Sequence, residues 1–157
     1  MIYSSACAYA IRAMTWMALG KPESYMLLED IHRQAALPRH FLAKVLQKLV
    51  RRELLLSAKG RRGGFILARP AETITLYEIV QAIDGAAAFR QCVVGLTRCD
   101  DQQPCPQHDA WKMLRGEIYE FLQATTVQCL AETLREKLRL LDAPNPAQAT
   151  APDTARA

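Results

Sequence analysis

Three cysteines and a histidine stand close together in the second half of the chain. Cys92, Cys99 and Cys105 are separated by six and five residues, and His108 follows three positions after Cys105. Thiolate and imidazole are soft to borderline donors, a set that suits iron-sulfur clusters or zinc. Structural zinc favours short Cys-x-x-Cys arms that close tight tetrahedral chelates, and this segment has none. Its wider spacing suits a larger inorganic group whose ligands lie several ångströms apart. One such cysteine alone would read as a small buried side chain. Three in an aperiodic stretch, with Pro104 and Pro106 on either side of the last, read as a site. Of the other two cysteines, Cys129 falls on an apolar helical stripe and reads as a core or interface residue. Cys7 reads as packing within the first helix, with reach toward a partner subunit's site as the alternative.

A second set of chemically capable residues is basic. From Arg33 to Arg69 the cations Arg33, Arg39, Lys44, Lys48, Arg51, Arg52, Lys59, Arg61, Arg62 and Arg69 face a single acid, Glu53, although the net charge of the whole chain is only +4. A local block of this kind points to a polyanion, and double-stranded DNA is the natural one. A helix that enters the major groove needs small or polar residues near its N-terminus and cations beside them for phosphates. Arg39, His40, Ala43 and Lys44 supply the first, and Lys48, Arg51 and Arg52 the second. Further on, Lys59-Gly60-Arg61-Arg62-Gly63-Gly64 forms a basic, glycine-rich tip. There Gly63 and Gly64 would let backbone approach a phosphate, and Arg61 and Arg62 suit the negative potential of a minor groove. His32 reads as structural.

The elements that must hold these residues follow from periodicity and punctuation. Ser4 or Ser5 can cap a first helix that runs to about Leu19, with Ala6, Ala10, Ala13, Met14, Met17 and Ala18 inward and Gly20 as its stop. A second helix over 28–36 and a third from Pro38 to Arg52 are parted by Leu37-Pro38, the signature of a helix-turn-helix. Phe41, Leu42, Val45, Leu46 and Leu49 form the inward face of the third. Two apolar runs, 54–57 and 65–68, flank the glycine-rich tip as a β-hairpin. Thr75 and Glu78 make a capping box for a fourth helix over 76–83. After an aperiodic loop, Trp111, Leu114, Ile118, Phe121, Leu122, Thr125, Cys129, Leu130, Leu134, Leu138 and Leu141 recur every three or four residues. That pattern predicts one helix of about 45 Å at 1.5 Å per residue, whose stripe a second copy of the chain would cover.

The expected fold is mainly α with a small β-hairpin wing: a winged helix-turn-helix followed by a long C-terminal dimerisation helix. The expected division is a DNA-binding domain over 1–85, a cluster loop over 86–107, a dimerisation helix over 108–142 and a disordered Pro- and Ala-rich tail over 143–157. The chain is half apolar and shows neither a secretory signal nor a membrane span. A cytoplasmic location is therefore expected, where clustered thiols bind metal or sense redox more often than they pair.

Taken together, these residues resemble the iron-sulfur cluster regulator family of winged-helix proteins, which includes the IscR, NsrR and RirA types. The likeness covers about residues 1–140. It is carried by Tyr9-Ala10, by Leu37 to Leu46 with Phe41-Leu42, by the wing from Lys59 to Phe65, by Ile79 to Asp84 and by the cysteine loop. It implies a homodimer that binds promoter DNA and reports iron supply, oxygen or nitric oxide to transcription, as repressor or activator. Cys92, Cys99 and Cys105 match the family's three thiolates and His108 the fourth ligand of the IscR type, which favours a 2Fe-2S cluster over 4Fe-4S. The chain departs from the pattern in its Met1-Ile2-Tyr3 start, in the six residues between Cys92 and Cys99, and in Ala43 where IscR types carry an acid. The competing readings are a thiol-redox or zinc-containing regulator that uses the same loop without iron, and a small redox enzyme or electron carrier. No Cys-x-x-Cys, nucleotide-binding glycine motif or paired catalytic carboxylates support the last, so no enzymatic activity is expected.

Overall fold

Ser4 opens the first helix as expected. Its backbone is extended and its Oγ accepts the N–H of Cys7 at 3.1 Å, which satisfies one of the donors a helix start leaves bare. The computed structural model describes residues 2–20, 23–60, 63–85, 92–97 and 99–142 of the chain. Helix α1 (Ser5–Leu19) is the hub: Cys7, Ala10, Ala13, Met14, Met17 and Ala18 are buried, against helices α2 (Leu28–Ala35), α3 (Arg39–Arg51), α4 (Leu76–Asp84) and α6 (Val127–Asp142). Fully burying a side chain such as Met14 contributes roughly 1.5–3 kcal/mol. Ser4 also ties the hub to α4, donating its N–H and Oγ–H to the Asp84 carboxylate at 2.8 and 2.5 Å.

Between α2 and α3 the chain reverses at Ala36, in the left-handed region at φ 50°. Three contacts pin the reversal. Arg12 of α1 donates to the Ala35 carbonyl, His32 donates from Nδ1 to the Leu37 carbonyl, and Leu37 itself is buried. His32 is thus structural, as its sequence context suggested. Pro38 stands one residue outside α3, at its cap. The inward face of α3 is as expected except for Phe41, which is 43% exposed and lies edge-on to Tyr9 at 5.5 Å.

The hairpin pairs β1 (Leu55–Ala58) with antiparallel β2 (Gly64–Leu67), in a register that sets Leu55 opposite Leu67 and Ala58 opposite Gly64. A bridge from Met26 to Phe65 lays the segment before α2 along its far edge. That close approach explains Gly64, and the hairpin's own return past Ala58 explains Gly63. Gly64 has φ 131°, and a Cβ there would sit 2.2 Å from the Met26 carbonyl oxygen; a Cβ on Gly63 would sit 2.2 Å from that of Ala58. Gly63 is buried. The space both leave is filled by the protein's own backbone, so each position needs glycine for the fold itself. Gly64→Ala is expected to cost about 2 kcal/mol or more through strain and collision, read as a lower urea midpoint in equilibrium unfolding.

Helix α4 opens on the expected capping box, with Thr75 Oγ1 and the Glu78 carboxylate each accepting the other's backbone N–H. The C-terminal stripe differs from expectation. It is two helices, α5 (His108–Ala124) and α6, each about 25 Å long. Between them Thr125 turns extended, and Thr126 bridges to Thr75. The Leu76 N–H donates to the Thr125 carbonyl and the Val127 N–H to the Ile74 carbonyl, both at 2.9 Å. Two β-branched threonines leave the helix because the segment before α4 offers these partners. Thr126 then caps α6 by accepting the Cys129 N–H at 3.2 Å. Among the described residues, no helix is long and apolar enough to cross a membrane.

The break redistributes the stripe. Leu122, Val127 and Ala131 are buried in the chain's own core. Met113, Leu114 and Phe121 of α5 stay 70%, 49% and 58% exposed. Cys129 is exposed as well, which takes it out of the chain's own core and leaves the interface reading.

Candidate nucleic-acid surface and cysteine loop

The helix-turn-helix presents one continuous polar stripe on α3. His40, Lys44, Gln47 and Arg51 are all exposed and recur at spacings of three and four, which puts them on one helical face. Gln47 was missed in the sequence reading, although the same period marks it. Arg39 is exposed at the helix start and pairs with Glu29 of α2 at 3.2 Å. Lys48 is exposed as well. Its Nζ donates to the Ile83 carbonyl at 2.5 Å, capping the end of α4, where a cation also suits the helix dipole. Exposed as it is, it also ties α3 to α4. Lys59 is exposed at the wing. Arg61 and Arg62 lie outside the described residues.

The loop brings its four expected donors together as two pairs. The sulfurs of Cys92 and Cys105 are 4.0 Å apart, and the Cys99 sulfur lies 3.6 Å from His108 Nδ1. Two thiolates held at about 2.3 Å by one tetrahedral metal lie about 3.8 Å apart, and a thiolate and an imidazole nitrogen about 3.5 Å. Each pair therefore has the separation of two ligands on one metal. Among the described residues, no three such groups converge on a point that a single ion would fill.

Local structure explains the placement. Cys92 is buried. Burial opposes its ionisation, but the backbone N–H groups of Leu96, Val94 and Gly95 and the Cys105 thiol outweigh it, holding the Cys92 thiol below its usual range. His108 is the first residue of α5, its backbone N–H donating to the Cys105 carbonyl at 2.9 Å. Its side chain is 4% exposed. Nε2 donates to Asp101 Oδ1 at 2.8 Å, and Lys112 Nζ meets the same oxygen at 2.8 Å. Lys112 and His108 hold the Asp101 carboxyl below its ordinary value. Sequence reading missed Asp101 and Lys112; the available signal was an acid between two ligands and a lysine one turn after the histidine.

Cys7 is fully buried in α1, and burial together with the Asp84 carboxylate pushes its thiol up to about 12. A thiol of that kind is neither nucleophile nor ready ligand near neutrality. Iodoacetamide at about pH 8, close to a free thiol's ordinary value, is expected to label exposed Cys129 and leave Cys7 unlabelled, checked by peptide mass spectrometry of the native protein.

Residues 3–133 match the family Rrf2, described as iron-dependent transcriptional regulator. A protein of Aquifex aeolicus (strain VF5) described as an HTH-type transcriptional regulator is 33% identical over 132 residues, covering 83% of this chain and 91% of the relative. The HTH-type transcriptional regulator IscR of Pectobacterium atrosepticum is 28% identical over 142 residues, covering 90% of this chain and 85% of the relative. Among solved structures, CymR (YrzC), the global cysteine regulator of B. subtilis, superposes with a TM-score of 0.68 at 24% identity, over 83% of this chain and 95% of that one. T. potens IscR gives a TM-score of 0.67 at 20% identity, over 93% and 94%. These two likenesses establish the winged-helix fold.

Proposed function

Since this chain belongs to the Rrf2 family and is a DNA-binding transcriptional regulator rather than an enzyme, we propose that it acts as a homodimer whose promoter binding reports the occupancy of an iron-sulfur cluster. Cys92, Cys99, Cys105 and His108 would hold that cluster. The observation that carries the reading is the double pairing, Cys92 with Cys105 and Cys99 with His108, at ligand separations. Two donor pairs suit the two irons of a 2Fe-2S group, in which mixed sulfur and imidazole ligation is known chemistry. When bound, the cluster supplies a tie between the loop and the start of α5 that oxygen or nitric oxide can break.

The chain's own residues do the rest. The stripe of His40, Lys44, Gln47 and Arg51 enters the major groove, with Arg39 and Lys59 at its flanks on phosphates. Met113, Leu114 and Phe121 form the face of α5 that a second copy covers, so that two recognition helices address half-sites about 34 Å apart. The loop joins the winged head to α5, and its order sets how the two heads are spaced. A tenfold change in DNA affinity needs about 1.4 kcal/mol of coupling.

The test is anaerobic loading with iron and sulfide, followed by promoter binding of loaded and unloaded protein. A cluster absorption band and a tenfold or larger difference in affinity are expected. A colourless, iron-free product, or equal affinities on every promoter, would defeat the reading. A second reading is favoured by the 4.0 Å separation of Cys92 and Cys105: the two thiols pass two electrons and two protons to a peroxide, leaving a disulfide and water. Loss of two hydrogen atoms in intact mass, with DNA binding altered in iron-free protein, would select it.

A further inference from the structure

Two acids stand side by side between Cys99 and Cys105 and do different work. Asp100 Oδ1 accepts the backbone N–H groups of Gln102 and Gln103, both at 3.0 Å, and closes the turn. Asp101 reaches instead to α5. One of its oxygens receives both His108 Nε2 and Lys112 Nζ at 2.8 Å, and the other receives Lys112 at 3.0 Å. His108 and Lys112 are four residues apart, on one face of α5, so a single carboxylate clamps two successive turns of the helix.

The clamp selects a tautomer. A neutral imidazole carries one N–H and one lone pair. A carboxylate at Nε2 keeps the proton there and leaves the lone pair on Nδ1, the nitrogen that faces the Cys99 sulfur at 3.6 Å. Because the ring is buried, with 4% of its side chain exposed, it cannot turn over without losing the Asp101 bond. We propose that Asp101, anchored by Lys112, is the positioning residue of the site: it locks His108 as the Nε2–H tautomer and makes Nδ1 the ligating atom. This rests on the cluster reading above. A carboxylate behind an imidazole also makes it a stronger donor to a metal, so the bound cluster's reduction potential is lowered.

Selective ¹⁵N labelling of histidine tests the assignment twice. In iron-free wild type at about pH 8, the proton of the neutral ring is expected on Nε2. Asp101→Ala is expected to give a tautomer mixture, and Asp101→Asn, whose amide oxygen still accepts, to restore it. A proton on Nδ1 in wild type, or an unchanged tautomer in Asp101→Ala, overturns the proposal. In anaerobically loaded protein, hyperfine coupling to Nδ1 is expected. Asp101→Ala should lose its cluster about tenfold faster and show a more positive potential. Asp101 is exposed, with 69% of its side chain open, so these variants keep the fold. Iron uptake with coupling to Nε2, or to no nitrogen, overturns the proposal alone. Wild type that takes up no iron overturns it together with the reading beneath it.

Discussion

Leu114→Glu combined with Phe121→Glu is expected to yield a folded monomer whose promoter affinity falls by a factor of about 10² or more. Both side chains are largely exposed in the single chain, 49% and 58%, so new carboxylates there meet water rather than the core. In a dimer the same positions would face a partner, and like charges would be forced together in a low-dielectric seam. Loss of the dimer turns a two-site contact into a one-site contact, and linked sites gain 10² to 10⁴ in avidity over a single one. Light scattering after gel filtration reads the mass, and fluorescence anisotropy on a duplex with two half-sites reads the affinity. A dimeric variant with undiminished binding would mean that α5 is not the interface. An unfolded variant is distinguished by circular dichroism, and Met113→Glu, at the most exposed position of the three (70%), then repeats the test.

Cys105→Ser is expected to lose the iron-sulfur group and with it the tenfold or larger difference in DNA binding between loaded and unloaded protein. Cys105 is half-buried and pairs with Cys92, so serine removes a soft thiolate and puts a hard, protonated oxygen in its place. The effect must separate from general damage. Iron and sulfide content should fall to background, while DNA affinity stays at the unloaded value and the unfolding midpoint is nearly unchanged. Cys129→Ser, at an exposed cysteine on α6, serves as the comparison and should load fully. A Cys105→Ser protein that still carries a full complement of iron would remove Cys105 from the ligand set.

Much of this was legible along the chain, and the legible parts share a physical cause. A helix cap, a helix-breaking Leu37-Pro38 step, a hairpin and a capping box are made by residues within a few positions of one another. Ser4 with Cys7 and Thr75 with Glu78 therefore announce themselves in the sequence and recur in the structure. The cysteine loop is equally local. Its residue types and spacing named four donors, but not how they pair: the two ends, Cys92 and Cys105, come together, and Cys99 meets the histidine at the start of α5. The one-residue shifts of the strands and helix ends are the ordinary uncertainty of boundaries.

What the sequence reading did not contain was decided at a distance. Lys48 sits in a basic block as an exposed cation, and only the placement of α4 beside it gives its ammonium the Ile83 carbonyl as a partner. Gly64 looks unconstrained until the segment at Met26 is laid along the strand and its backbone takes up the room a Cβ would need.

By itself, the chain determined that it carries a two-helix reading head, a glycine-bearing wing and a set of soft donors, because each is written in side-chain chemistry over a short span. Only the tertiary structure decided that the C-terminal stripe is two helices. The break needs Thr125 and Val127 to bond with Leu76 and Ile74, some fifty residues earlier in the chain, and periodicity in a single segment carries no record of so distant a partner.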